Sequence, residues 1–179
     1  MVYLLLADGF EEVEALTVVD YVRRAGVELT TVGVTGRVVT GAHDIPVTAD
    51  VLLEQVQKER MEMVILPGGG KGTENLKKSV AVQKLIRACL ERDGMAAAIC
   101  AAPSILGEMG LLQGKQAICY PGFEEKLKGA TVADQPVVRD GNIITAKSAG
   151  VANRFAYAII SALVDEEKVE EIRQQVYDR

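Results

Sequence analysis

Tryptophan is absent from the 179 residues, histidine occurs once, at His43, and cysteine three times, at Cys89, Cys100 and Cys119. An odd number of widely spaced cysteines argues against a disulfide framework and against a zinc site, and no metal is expected. The single histidine lies in a turn-like stretch, where a structural or exposed role is the ordinary one. Any cysteine chemistry would therefore lack the usual imidazole partner. No run of five basic residues occurs, and the net charge is −5, so neither a nucleic-acid footprint nor a membrane-surface patch is expected. No apolar run approaches the ~20 residues of a spanning helix. The opening MVYLLLA is short, no basic segment precedes it, and the acidic DGFEEVE follows. It reads as a buried first strand rather than an export signal, and the expected compartment is the cytoplasm.

What is present is ordinary globular composition, 49 % hydrophobic and 25 % charged, in a length that suits one domain over residues 1–179. Strand-length apolar runs alternate with helical patterns throughout. That alternation predicts an α/β fold with a mostly parallel sheet covered on both faces. Strands are expected at Val2–Ala7, Val27–Val34, Met63–Leu66, Met95–Ile99 and Gln116–Cys119. Hairpins are expected from Arg37–Thr40 with Ile45–Thr48, and from Pro136–Arg139 with Asn142–Ala146 around Asp140-Gly141. Helices are expected at Glu11–Ala25, with Gly26 as its stop, and at Val80–Arg92, Pro103–Met109, Phe123–Leu127, Gly150–Leu163 and Glu167–Val176. Asp50 is read as the cap of a short helix reaching Gln57.

In such sheets ligands bind beyond the carboxyl ends of the strands, and three of these ends carry candidate chemistry. MAAAICAAPSIL runs from a strand through Cys100 into a helix. Its flanking alanines leave room for a tight strand-to-helix turn of the kind that presents a nucleophile. Pro103 suits a first helical turn, and a thiol facing unpaired N–H groups is expected to have a lowered pKa. The competing reading, a buried structural cysteine, fits Cys89 and Cys119 better. Pro67-Gly68-Gly69-Gly70-Lys71-Gly72 lacks the spacing of a phosphate loop. Its glycines can still turn backbone N–H groups into a cleft, and a plain flexible turn is the alternative. In Asp8-Gly9-Phe10-Glu11-Glu12-Val13-Glu14, Glu11 and Glu12 read as helix-dipole partners. Glu14 shares a helical face with Val18, Tyr21, Val22 and Ala25, so its carboxyl is expected to be buried, with a raised pKa, and able to donate a hydrogen bond to a thiolate.

Taken together, LLLADGFEEVEAL, VILPGGGKGTENL, AAICAAPSIL and ITAKSAGVANRFAYAIISAL resemble the DJ-one/ThiJ/PfpI superfamily over essentially the whole chain, and its DJ-one/YajL-like branch in particular. The resemblance implies a flavodoxin-like three-layer sandwich, a homodimer and an oxidation-prone cysteine, here Cys100, supported by Glu14. It implies that the N–H of Gly69 faces that cysteine, with Gly68 beside it and the N–H of Ala101 as a second donor. Activities attributed to such proteins are glyoxalase III-like conversion of methylglyoxal to lactate, deglycation of early glycation adducts, and oxidative-stress sensing or chaperoning; the first two need no cofactor.

The sequence departs from that pattern at several positions. Tyr120, in Tyr120-Pro121, replaces a common histidine partner. Ala101 stands where the PfpI branch has histidine, which speaks against protease activity. Lys147 replaces an arginine, so an anion contact there would not be bidentate. Arg24 and His43 match basic positions near the partner's site. The leading expectation is a cofactor-independent cysteine enzyme acting on a small aldehyde or glycated substrate. The alternative is an oxidative-stress sensor or redox-regulated chaperone-like protein working through oxidation of Cys100.

Overall fold

The computed structural model describes residues 1–178. In chain order its elements are β1 (Val2–Leu6), α1 (Glu12–Arg24), β2 (Leu29–Gly33), β3 (Val38–Thr40), β4 (Pro46–Thr48), β5 (Val51–Leu52), β6 (Met63–Leu66), α2 (Gly70–Lys78), α3 (Val80–Leu90) and β7 (Met95–Ile99). There follow α4 (Pro103–Glu108), β8 (Gln116–Ala117), β9 (Thr131–Val132), β10 (Val137–Asp140), β11 (Ile143–Ala146), α5 (Ala152–Leu163) and α6 (Glu166–Gln175).

Seven strands form the central sheet in the order β10-β11-β7-β6-β1-β2-β5. All neighbours are parallel except β10, which pairs antiparallel with β11. The continuous apolar runs of β1, β6 and β7 follow from burial on both faces. Alternate side chains feed two cores. Leu4, Leu6, Ile65, Ala97 and Ile99 pack with Val18 and Val22 of α1, Phe155 and Ile159 of α5, and Ile172 of α6. Tyr3, Leu5, Leu66, Ala96 and Ala98 pack with Leu76 of α2, Leu85 and Ile86 of α3, and Ile105 of α4. The result is the mostly parallel, doubly covered sheet that the sequence pattern predicts, in the flavodoxin-like three-layer sandwich that the family resemblance implies. The run of alanines in β7 lets the layers on both sides come close to that strand.

From β1 the chain runs outward through β2 and β5, then crosses to build β6, β7 and β11 on the other side. The switch point therefore lies between β1 and β6, where the loops leaving the two strands diverge and open a crevice.

The structure departs from the sequence reading at several elements. Asp50 caps no helix: its carboxylate accepts from the Thr31 N–H and hydroxyl, each at 2.8 Å, and from Arg23 at 2.5 Å. The segment through Gln57 forms β5 and a short 3-10 turn, Leu53–Gln55. The glycine run is not a plain turn, since Gly70 opens helix α2. Within Gln116–Cys119 only β8 is strand, paired with β9, which was not expected. Phe123–Leu127 contracts to the 3-10 turn Glu124–Lys126.

Candidate functional site

Cys100 directly follows β7 and has a backbone φ of +64°, a left-handed conformation that costs a non-glycine residue about 1–3 kcal/mol. Two hydrogen bonds hold it there. The Cys100 N–H donates to the Ala146 carbonyl at 2.9 Å, prolonging the β7–β11 pairing by one residue, and the Tyr120 N–H donates to the Cys100 carbonyl at 2.8 Å. The thiol is half-buried, and the N–H groups of Gly69 and Ala101 lie near enough to favour its ionised form. Helix α4 is only six residues long, so these local N–H groups, rather than a long helix dipole, supply the positive field.

Glu14 reaches the same point from the first turn of α1. It is 1 % exposed, at the head of the stripe that buries Val18 and Val22. Its Oε2 accepts from the Gly68 N–H at 2.9 Å. Its Oε1 is buried with no hydrogen bond of ordinary geometry, although the carboxyl lies close enough to the thiol for each to act on the other. Gly68 is wedged between them: a Cβ there would sit 2.4 Å from Glu14 Oε2 and 2.6 Å from Cys100 Cβ. Gly69 has φ +88°, and its missing Cβ would fall 2.2 Å from the Gly9 carbonyl oxygen. Glycine at both positions is what lets the loops after β1, β6 and β7 converge.

The electrostatics of the pair differ from the simple expectation of a lowered thiol pKa. Burial, and then the negative charge of Glu14, push Cys100 up to about 12, with the Gly69 and Ala101 N–H groups working the other way. Burial likewise pushes Glu14 up to about 7, against the hydrogen bonds it receives. Each group resists ionising while the other is charged, so the pair gives up one proton near neutrality and holds the second far above it. Cys89 and Cys119 are buried, and burial raises each to about 11.

Thus the structure brings Cys100, Glu14, Gly68, Gly69 and Ala101 close to one another. Tyr120 is present through its backbone, while its ring is 47 % exposed. Lys147 follows Ala146 with an exposed side chain. Arg24 pairs with Asp20 at 2.7 Å in the last turn of α1, and His43 lies on the β3–β4 hairpin; neither reaches Cys100 within this chain.

Glu12 has a role that the sequence reading missed. It is 5 % exposed; its Oε1 accepts from the His43 N–H at 2.7 Å, and its Oε2 lies 2.8 Å from His43 Nδ1. Gly41, whose Cβ would collide with this carboxylate, is the signal that could have revealed the burial. Among the described residues, Glu11, Glu12 and His43 form the one grouping whose ligand atoms lie within 4.8 Å of each other. Glu12 is already committed to fastening the hairpin to α1.

The comparisons with known proteins agree with this geometry. The profile of the DJ-1/PfpI family matches residues 1–162. Protein dj-1beta of Drosophila melanogaster is 37 % identical over 172 residues, covering 94 % of this chain and 92 % of that protein. Its crystal structure superposes with a TM-score of 0.93 at 36 % identity, over 98 % of this chain and 96 % of that one. The structure of oxidized Toxoplasma gondii DJ-1 superposes with a TM-score of 0.94 at 30 % identity, over 98 % and 97 %. A Pyrococcus abyssi protein named as a deglycase is 29 % identical over 151 residues, 83 % of this chain and 90 % of that protein. A profile matched over nine-tenths of the chain, and relatives aligned nearly end to end, leave one conclusion: the chain belongs to the DJ-1/PfpI family.

Proposed function

We propose that the protein is a cofactor-independent cysteine enzyme that acts on small reactive aldehydes or on early glycation adducts, with Cys100 as nucleophile and Glu14 as its acid–base partner. One observation carries this reading: a cysteine held at φ +64°, beside a buried carboxyl and two backbone N–H groups that favour its ionised form. Glu14 Oε2 is occupied as an acceptor, so the unpartnered Oε1 is the oxygen free to carry a proton. A proton there, directed at the sulfur, satisfies Oε1 and leaves the pair's single negative charge on sulfur, next to the N–H groups of Gly69 and Ala101.

With methylglyoxal, the thiolate adds to the aldehyde carbon, forming a C–S bond while the carbonyl electron pair moves to oxygen. The N–H groups stabilise that oxygen, and Glu14 protonates it. As a carboxylate, Glu14 then removes the proton from the former aldehyde carbon, the electron pair moving through the new C=C bond to the ketone oxygen, and returns it to the adjacent carbon, while the hydroxyl proton passes from the first oxygen to the second, giving a lactoyl thioester. Water cleaves the thioester to lactate and regenerates the thiol. The deglycase name of the Pyrococcus relative supports the wider substrate class. Incubating the protein with methylglyoxal and measuring lactate against a Cys100→Ser control tests the reading. Equal lactate in the two removes it.

A second reading, an oxidative-stress sensor, is favoured by the position of the only histidine. His43 is bound to Glu12, so no imidazole stands beside Cys100, and oxidation needs none. Two equivalents of peroxide each transfer one oxygen to the sulfur and leave as water, giving a sulfinic acid.

The proposal includes a homodimer. Val13 and Leu16 of α1, with Val38 and Ile45 around the neighbouring hairpin, are exposed apolar side chains suited to a self-complementary contact. Light scattering at a monomer mass would exclude it.

A further inference from the structure

A cleft of about 730 Å³ lies between β10, α5 and α6, and none of its residues belongs to the Cys100 site. The volume is within the range of small-molecule sites. Three arginines line it, one from each element: Arg139 on β10, Arg154 on α5 and Arg173 on α6. Among the described residues the arginine ion pairs are those of Arg23, Arg24 and Arg60, so no carboxylate pairs with any of these three. Arg139 donates only a long bond, 3.5 Å, to the Gly141 carbonyl. Arg173 Nε is buried without a partner, and its guanidinium lies 5.7 Å from the centre of the Tyr157 ring, which gives the side chain a fixed support.

Two acids also line the cleft; both accept from neutral donors, and Asp178 is lowered first by its hydrogen bonds from Tyr157 and Asn153 and then by the charges of Arg173 and Arg154. Asp178 Oδ2 accepts from Asn153 Nδ2 at 2.8 Å and from the Tyr157 hydroxyl at 2.9 Å. Glu166 accepts from the Ser161 hydroxyl. Three arginines and two carboxylates therefore border one recess, with most of the arginine donors unspent and one positive charge in excess.

We propose that this cleft binds a small phosphate ester, its phosphate held by Arg139, Arg154 and Arg173. A single carboxylate has two oxygens and is satisfied by one fork, whereas a phosphate monoester presents three terminal oxygens and close to two negative charges at neutral pH. Three forks from three different elements match the second ligand better than the first. A cleft of this size also leaves room for the organic part of the ester, so inorganic phosphate alone would underfill it. The site is independent of Cys100, and its ligand would couple α6 to the sheet edge.

The test is titration calorimetry of the full chain with ribose 5-phosphate, ribose and gluconate, a sugar acid with one carboxylate. The expected result is saturable binding of ribose 5-phosphate, no heat from ribose, and gluconate weaker by about tenfold or more. Arg139→Gln and Arg154→Gln remove exposed side chains and are expected to preserve the fold. Each should weaken ribose 5-phosphate by about tenfold, and added salt should weaken it further. Arg173→Lys, which keeps the charge and loses the fork, should also weaken it. Cys100→Ser should bind as the wild type does, which separates this site from the proposed catalytic one. No saturable binding of ribose 5-phosphate, gluconate binding as tightly, or affinity unchanged in the folded Arg139→Gln and Arg154→Gln proteins would each overturn the proposal.

Discussion

Replacing Gly68 by alanine perturbs the space between the carboxyl and the thiol without altering either group. The added Cβ would lie 2.4 Å from Glu14 Oε2, 2.6 Å from Cys100 Cβ and 3.0 Å from the Ile99 carbonyl oxygen. Gly68 is not at a positive φ, so the cost is steric rather than conformational. Its neighbours are a buried acid and an elbow already fixed by two backbone hydrogen bonds, and neither can swing away as a flexible side chain would. Overpacking of this kind costs about 1–3 kcal/mol, which for a chain of this size lowers the melting temperature by roughly 2–12 °C. The functional effect should be larger, because displacing a reacting group by about 1 Å can cost on the order of 100-fold in rate. Gly70→Ala is the control: its Cβ would meet nothing within 4 Å, and the residue opens α2, where alanine is the better helix former. Thermal melts and the rate of Cys100 alkylation by iodoacetamide, measured on both variants, form the assay. If Gly68→Ala melts and reacts like Gly70→Ala and the wild type, the argued contact between Glu14 and Cys100 is wrong.

Other outcomes follow from the same geometry. Glu12 is held below its ordinary value: burial alone would raise it, but the hydrogen bonds and charge of His43 outweigh that; His43 is raised, first by its hydrogen bond to Glu12. A lowered acid loses its stabilising contribution as pH falls through its folded value, and a raised imidazole loses its contribution as pH rises through its own. The pair should therefore fasten the hairpin best between pH 4.5 and 6.5, the two ordinary values, and melting curves across that window should flatten in His43→Ala. Mild peroxide should add two oxygens to Cys100 and spare buried Cys89 and Cys119, as read by peptide mass; equal oxidation of all three would contradict the selective site. Gly69→Ala, which combines φ +88° with a backbone collision at 2.2 Å, should be destabilised by more than Gly68→Ala in the same melts.

The periodic parts of the chain were readable directly. Strands such as β1 and β6 are continuous apolar runs because both faces are covered, and the face shared by Glu14, Val18 and Val22 follows from helical spacing alone. Helix α2 was not readable, since Gly70, Gly72 and the lysines at its end have poor propensity or no apolar face of their own; tertiary contact of Leu76 with the sheet selects it. Asp50 looked like a cap because short acids before helical patterns usually are, but distant Thr31 and Arg23 claim its carboxylate. Gly41 was the one hint that Glu12 is buried, because the partner of Glu12 lies 31 positions on. At the site, the alanines around Cys100 and the glycines after β6 pointed to a close approach. The sign of the thiol's shift could not be read, because it depends on which of two buried groups keeps a shared proton.

That distribution of the proton is best measured by following the ultraviolet absorbance of the Cys100 thiolate against pH, as the difference between the wild type and Cys100→Ser, and repeating it in Glu14→Gln. A thiolate is expected in the wild type below the ~8.5 of a free thiol, as the pair loses its first proton to leave the second on Glu14; in Glu14→Gln no such proton is shared, and burial, the largest influence on the thiol, keeps it above that value. If the sulfur stays protonated toward pH 12 while Glu14 alone ionises near 7, the carboxylate carries the charge and the proposed nucleophile does not exist at neutral pH.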